Sequence, residues 1–189
     1  MRVIAGTYRS RRLQSLPGLD LRPTADRLRE TLFDILTAGN PEALTGSAWI
    51  DLFAGTGAVG IEALSRGAAS VSFVDTSSPA VELIRKNLQS LKIATGFQVL
   101  KRDAVQAIAS LGKGSAKADF VFLDPPYQME EIYARVLETI SSGGVLKPQG
   151  MVIAEHQKKF DPGANIASLE RHRLLVQGDA ALSFYHLFR

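Results

Sequence analysis

No cysteine occurs among the 189 residues. Its absence excludes a disulfide framework, a thiolate-held zinc or iron–sulfur centre and a thiol nucleophile. Histidine is scarce: His156, His172 and His186 are the whole complement. None stands at a ligand spacing such as HxxxH, so no metal site is expected. No apolar run approaches the ~18 residues a membrane helix needs. The opening Met1-Arg-Val-Ile-Ala-Gly-Thr-Tyr-Arg9 lacks the long apolar stretch of a secretory signal. A soluble, cytoplasmic chain with no membrane partner is the expectation, and no interface motif argues against a monomer.

What is present is enough apolar material, 46%, for one well-filled core in a chain of single-domain length. Charge is modest in sum, +3, but uneven. Residues 1–29 contain Arg2, Arg9, Arg11, Arg12, Arg22, Arg27 and Arg29 against Asp20 and Asp26, so this stretch carries +5 and the remainder −2. An arginine-rich start on a near-neutral body suits a polyanion, because guanidinium forks pair with phosphate; a solvated basic surface is the plain alternative.

Periodicity divides the chain at about residue 40. Residues 2–5 and 8–13 read as two short strands around Gly6, and Pro17-Gly18 as a turn. Residues 24–38 read as a helix with Thr24 as N-cap, Leu28, Leu32, Phe33, Ile35 and Leu36 on one face, and Gly39-Asn40-Pro41 as its stop. Seven strands are then expected, at 48–53, 70–75, 97–101, 119–123, 151–155, 173–176 and 182–188. Helices are expected at 58–66, from Ser78 as N-cap with Pro79 at the first helical position through Leu91, at 104–111 and at 130–140. Strands alternating with helices predict an α/β fold with a mostly parallel, doubly wound sheet, and the last two strands, joined through Gly178-Asp179, a C-terminal antiparallel hairpin. The organisation is one domain over 1–189: a basic N-terminal extension with a helix over 1–40, and a Rossmann-like core over 41–189.

Gly55-Thr-Gly57-Ala-Val-Gly60 matches G-x-G-x-x-G between a predicted strand and helix, the context in which glycines let a cofactor approach the backbone. Asp75, at the end of the next strand, can accept from both ribose hydroxyls. That pair serves NAD as well as S-adenosylmethionine. Three features favour the latter. Asp51 sits inside the end of the first strand, where a charge is costly unless bound, and could engage the methionine end of the cofactor through water or loop amides. Asp103, followed by Ala104, could accept from the adenine amino group; a helix N-cap is its plain alternative. The closing hairpin is unlike a nicotinamide-binding sheet.

Asp124-Pro125-Pro126-Tyr127 follows the apolar run Phe120-Val-Phe-Leu123, which places it at the carboxyl end of a strand. Two prolines fix the backbone and remove two N–H donors. Carbonyl oxygens, the Asp124 carboxylate and an aromatic ring remain, an acceptor-rich setting for a planar NH2 group. Hydrogen bonds to Asp124 and the Pro125 carbonyl would favour the pyramidal nitrogen that can attack, and Tyr127 could stack on the ring. A rigid proline turn is the bland reading.

Asp51-Leu-Phe-Ala-Gly-Thr-Gly57 with Asp124-Pro-Pro-Tyr127 resembles the amino-methyltransferases that act on adenine, guanine or glutamine nitrogens. Arg22-Pro-Thr24-x-Asp26-Arg27-x-Arg29-Glu30-x-Leu32-Phe33, the loop from Asp51 to Gly60 and Glu62-Ala-Leu-Ser-Arg-Gly-Ala68 more closely resemble the bacterial 16S ribosomal RNA guanine-N2 methyltransferase family, RsmD type. The resemblance, which Arg2-Val-Ile-Ala-Gly6 also fits, runs over nearly the whole chain. It implies a Rossmann-like class I S-adenosylmethionine-dependent methyltransferase fold and methyl transfer to N2 of one guanine of 16S rRNA, in the small ribosomal subunit or an assembly intermediate. By resemblance Asp51, Ala54, Gly55, Gly57, Asp75, Asp103 and Ala104 hold the cofactor, with Thr24 nearby; Asp124, Pro125 and Tyr127 are catalytic. Arg2, Arg9, Arg11, Arg12, Arg22 and Arg27 face RNA. Two places depart from the family pattern: Ser10 stands where a small, glycine-like residue is expected, and Gln177 where an aromatic precedes the glycine. A DNA adenine-N6 or protein glutamine-N5 methyltransferase, and a non-catalytic RNA-binding assembly factor, are the competing readings.

Overall fold

The computed structural model describes residues 1–15 and 23–188, without the side chains of 23–25. Arg22 and the predicted turn at Pro17-Gly18 lie outside the described residues. Thirteen elements follow: α1 (Pro23–Thr37), β1 (Ala48–Leu52), α2 (Ala58–Ser65), β2 (Ser70–Asp75), α3 (Ser78–Ser90), β3 (Phe97–Lys101), α4 (Ala104–Gly112), β4 (Ala118–Leu123), α5 (Glu130–Ser142), β5 (Leu146–Gln157), β6 (Asn165–Ile166), β7 (Leu169–Gln177) and β8 (Ala180–Leu187). The strands form one sheet in the order β3-β2-β1-β4-β5-β8-β7-β6. β3, β2, β1, β4 and β5 run parallel, while β8, β7 and β6 are antiparallel. The order reverses at β1, opening a crevice at the carboxyl ends where α/β sheets take ligands.

Among the described residues the sheet has eight strands rather than the expected seven. The addition, β6, is two residues long and pairs only with Leu169 and Glu170, too short to leave an alternation. β5 begins five residues before its predicted start, because Pro148 and Gly150 interrupt its apolar pattern. α1 opens at Pro23, a first-turn site where the missing N–H costs nothing, so Thr24 falls within the first turn rather than before it. α3 is capped by Ser77, whose Oγ accepts from the Ala80 amide, one residue earlier than expected, with Pro79 still in the first turn.

The start of the chain departs most from expectation. Two paired strands reduce to the single bridge Arg2–Arg12 and a tight turn, with Ser10 in the left-handed region at φ 67°. That conformation accounts for the glycine-like residue expected at position 10. The amides of Ile4 and Ala5 donate not to a strand but to Glu62, at 2.7 and 3.0 Å. Glu62 is fully buried on α2 and also takes Arg66 Nε at 2.8 Å, with Arg29 Nε of α1 at 3.9 Å. One carboxylate thus joins the opening segment, α1 and the helix after the glycine loop.

Two cores lie on the faces of the sheet. α1, α2 and α3 cover one, with Phe33 stacked on Trp49 and Trp49 on Phe120. α4 and α5 cover the other. Removing one partner of a buried charge network strands the rest and costs about 3–5 kcal/mol. Glu62→Ala is therefore expected to lower unfolding stability by about that much in urea titration.

Candidate active site

Strand alternation gathers four carboxylates on one face. Ile50, Leu52, Val74, Leu123 and Ala154 sit under α4 and α5, whereas Trp49, Phe73, Phe122 and Ile153 sit under α1–α3. Side chains alternate along a strand, so Asp51, Asp75, Asp124 and Glu155 all stand on the α1–α3 side. They occupy the carboxyl ends of four adjacent strands, β2, β1, β4 and β5.

Each is held differently. Asp51 is 2% exposed, and its Oδ2 accepts from the Gly60 amide at 2.9 Å. Burial pushes its carboxyl up to about 8; the Gly60 hydrogen bond opposes this, and the Asp124 and Asp75 charges add to it. Asp75 accepts from the Gly55 amide at 2.9 Å and the Ser77 amide at 2.8 Å, so one carboxylate ties the glycine loop to the start of α3. Asp124 follows β4, its amide reaching Leu52 O at 3.4 Å, and burial pushes it up to about 7. Glu155 lies well above the usual carboxylate range through burial and then the Asp124 charge, against the pull of Arg29.

The glycine loop is strained where it meets the crevice. Phe53 adopts φ 58°, followed by Gly55 at 53° and Gly57 at 76°; left-handed backbone at a bulky residue is a cost that clusters at ligand sites. Gly60 has no room for a side chain, since a Cβ there would lie 2.3 Å from the Phe73 ring. At Gly55 a Cβ would meet nothing nearer than Phe53 O at 3.9 Å, so open space lies over the backbone where a ligand would rest.

The other expected residues fall into place unevenly. Ala54 is buried in the loop, donating to Val74 O and accepting from Gly57 N. Asp103 is the N-cap of α4, its Oδ1 accepting from Val105 and Gln106 at 3.0 and 3.2 Å, the plain alternative weighed for it. The Ala104 side chain belongs to the core below. Pro125 is buried and Tyr127 half-buried beside the crevice-edge Asp124. The Thr24 side chain lies outside the described residues.

The arginines divide. Arg2, Arg9 and Arg27 line a cavity of about 410 Å³ between the opening turn and α1, with Asp26 and Glu30 on its wall. Arg11 turns away and donates to Ser90 O on α3 at 3.4 Å. Arg12 is exposed beside its bridge to Arg2.

Three residues were missed in the sequence: Glu62, Arg29 and Glu155. A lone acid within the apolar helix Ala58–Ser65, and another ending the apolar run Met151-Val-Ile-Ala154, carried the same signal of a costly buried charge that singled out Asp51. Arg29 had no such signal, because six other arginines precede it in sequence.

An edge that holds three carboxylates above their ordinary range is short of positive charge. The residues at the glycine loop fit S-adenosylmethionine: buried Asp51 beside the loop for its positive end, open backbone at Gly55, and a rigidly held carboxylate at Asp75.

Comparison with known proteins gives the same picture. The family model described as "Conserved hypothetical protein 95" matches residues 1–186. "Ribosomal RNA small subunit methyltransferase D" of Haemophilus influenzae is 33% identical over 100% of this chain and 93% of its own length. The protein of the same name from Escherichia coli is 31% identical over 98% of this chain and 89% of its own length. The solved structure of the "Putative methyltransferase yhhF from Escherichia coli" aligns with a TM-score of 0.82 at 31% identity, covering 100% of this chain and 98% of that one.

The raised carboxyls have a consequence for the protein without ligand. Asp51 and Asp124 hold protons in the fold, near 8 and 7, that the unfolded chain releases near 4. Their contribution to stability is complete below about pH 4 and is lost as pH rises to about 8, at up to about 1.4 kcal/mol per pH unit for each group. Chemical denaturation across this range should show the decline, and Asp51→Asn should flatten it.

Proposed function

The chain belongs to the "Conserved hypothetical protein 95" family, and from that premise we propose that it transfers a methyl group from S-adenosylmethionine to the exocyclic N2 of a guanine in 16S rRNA. The single observation that carries this reading is the meeting of the glycine loop and Asp124 at one sheet edge. Support for an RNA target of the small subunit comes from the relatives' names and from the arginine-lined cavity beside α1. The enzyme acts as one domain, in the cytoplasm, and as a monomer. Among the described residues no helix is long and apolar enough to cross a membrane.

The donor supplies an already activated methyl on sulfur, so the protein's task is alignment and electrostatics. Gly55 presents open backbone to it, Gly57 at φ 76° turns the loop into α2, Asp75 takes the ribose hydroxyls, and Asp103, through the oxygen not used for capping, takes the adenine amino group. Asp51 holds the loop to α2 and faces the positive end. On the acceptor side, Asp124 and the Pro125 carbonyl accept from the N2 hydrogens, and Tyr127 stacks on the base. The nitrogen lone pair forms the new N–C bond as the S–C bond breaks. The surplus proton leaves the nitrogen for Asp124 or water.

Incubation with labelled S-adenosylmethionine and undermethylated small subunits, free rRNA, DNA or release-factor protein tests the proposal. Label is expected in guanine of the RNA, and label on DNA or protein alone would sink it. Asp124→Ala should keep cofactor affinity while turnover falls roughly 100-fold or more, the scale set by losing an aligned polar group. Normal turnover would remove Asp124 from the catalytic set. Arg9→Ala with Arg27→Ala should weaken RNA binding and lower the slope of log K against log salt by roughly 0.7–0.9 per lost phosphate contact.

A further inference from the structure

The carboxyl edge holds one group for which the proposed chemistry has no use. Glu155 follows Ala154, which pairs in register with Leu123, so Glu155 and Asp124 are neighbours on adjacent strands and stand on the same face. Tyr133 of α5 donates to the Glu155 carbonyl at 2.8 Å and holds this strand end in place. Above it, Arg29 of α1 is almost completely buried. Its Nη2 is taken by Arg2 O and Asp26, while its Nε has no hydrogen-bond partner. Arg29 acts on Glu155 through its charge, but no hydrogen bond joins them. Burying an acid this way is costly, and a plain structural role would have called for an ion pair.

We propose that Glu155 is a specificity-determining residue that accepts the N1–H of the target guanine while Asp124 accepts from its amino group. The inference rests on guanine being the acceptor, as proposed above. Among the candidate acceptors only guanine places a ring N–H donor next to its NH2. Adenine sets an acceptor nitrogen, N1, beside its amino group, and a glutamine side chain sets a carbonyl oxygen there. Two adjacent carboxylates offer matched acceptors to guanine and meet the other two with a lone pair. A site built to take a donor rejects an analogue lacking it far more strongly than an apolar pocket rejects a misfit. The second carboxylate thus separates the guanine reading from its adenine and glutamine rivals, which Asp124-Pro-Pro-Tyr127 alone does not.

Free nucleosides competing against methylation of undermethylated small subunits test this. Guanosine should inhibit at least tenfold better than 1-methylguanosine, in which N1 carries no hydrogen, and than 2-aminopurine riboside, which keeps the amino group but has an acceptor at N1. Glu155→Gln should lower kcat/KM on subunits 10-fold or more with S-adenosylmethionine affinity unchanged. It should also narrow or invert the preference for guanosine over 2-aminopurine riboside, because an amide can donate to N1. Equal inhibition by all three nucleosides in the unmodified enzyme, or by none, overturns the proposal without recourse to a variant. So does a Gln variant with the parental ranking and rate. If the unmodified enzyme labels guanine N2 and the ranking is flat, only the role of Glu155 falls; if no label enters guanine, the acceptor reading falls with it.

Discussion

The buried carboxylate of Glu62 is the tie on which the arrangement depends. It stands on the helix that the glycine loop begins, and it satisfies two amides of the opening segment while pairing with Arg66 and facing Arg29. A buried acid is tolerated only when its lone pairs are used, and here the use is architectural. The basic start of the chain is docked against the same helix whose first turn donates the Gly60 amide to Asp51. The glycine loop and the arginine-lined surface are therefore tied to one helix.

From that tie the electrostatics of the edge follow. α1, drawn down by Arg29 and stacked through Phe33 on Trp49, roofs the face on which four strand ends place carboxylates. Closing that face removes water, and lost hydration raises Asp51, Asp124 and Glu155 together. The same burial that makes the edge expensive makes it receptive to a cation and to hydrogen-bond donors. Strain at Phe53 is a second cost, accepted where open backbone lies over Gly55. Stability spent at this edge is recovered in two well-packed cores on either side of the sheet.

Much of this was legible in the sequence because it is local. Alternation and helical spacing depend on near neighbours, so β1 through β4 and the helices between them emerge within a residue or two of their observed ends. Asp51, Asp75 and Asp124 were legible for a related reason: each ends an apolar run, and a charge there announces a purpose. What local pattern could not supply was competition. Ile4 and Ala5 look like strand residues, yet their amides go to a side chain 57 or 58 positions away. Asp103 looked like a ligand group and is also a helix cap. β6 is too short to have a period, and Pro148 and Gly150 hide the start of β5.

The sequence by itself determined the alternating architecture, the glycine loop, the proline turn and the concentration of arginine at the start, since each is written in consecutive residues whose backbone preferences act at short range. Only the tertiary structure decided that Glu155 is a neighbour of Asp124, that Arg29 is buried over them while Arg2, Arg9, Arg11, Arg12 and Arg27 stay exposed, and that Arg2, Arg9 and Arg27 share a cavity which Arg11 leaves. Those relations depend on strand order, register and the docking of α1. Such pairings join residues far apart in the chain, and their free energy comes from burial and from hydrogen bonds that exist only once the sheet has closed.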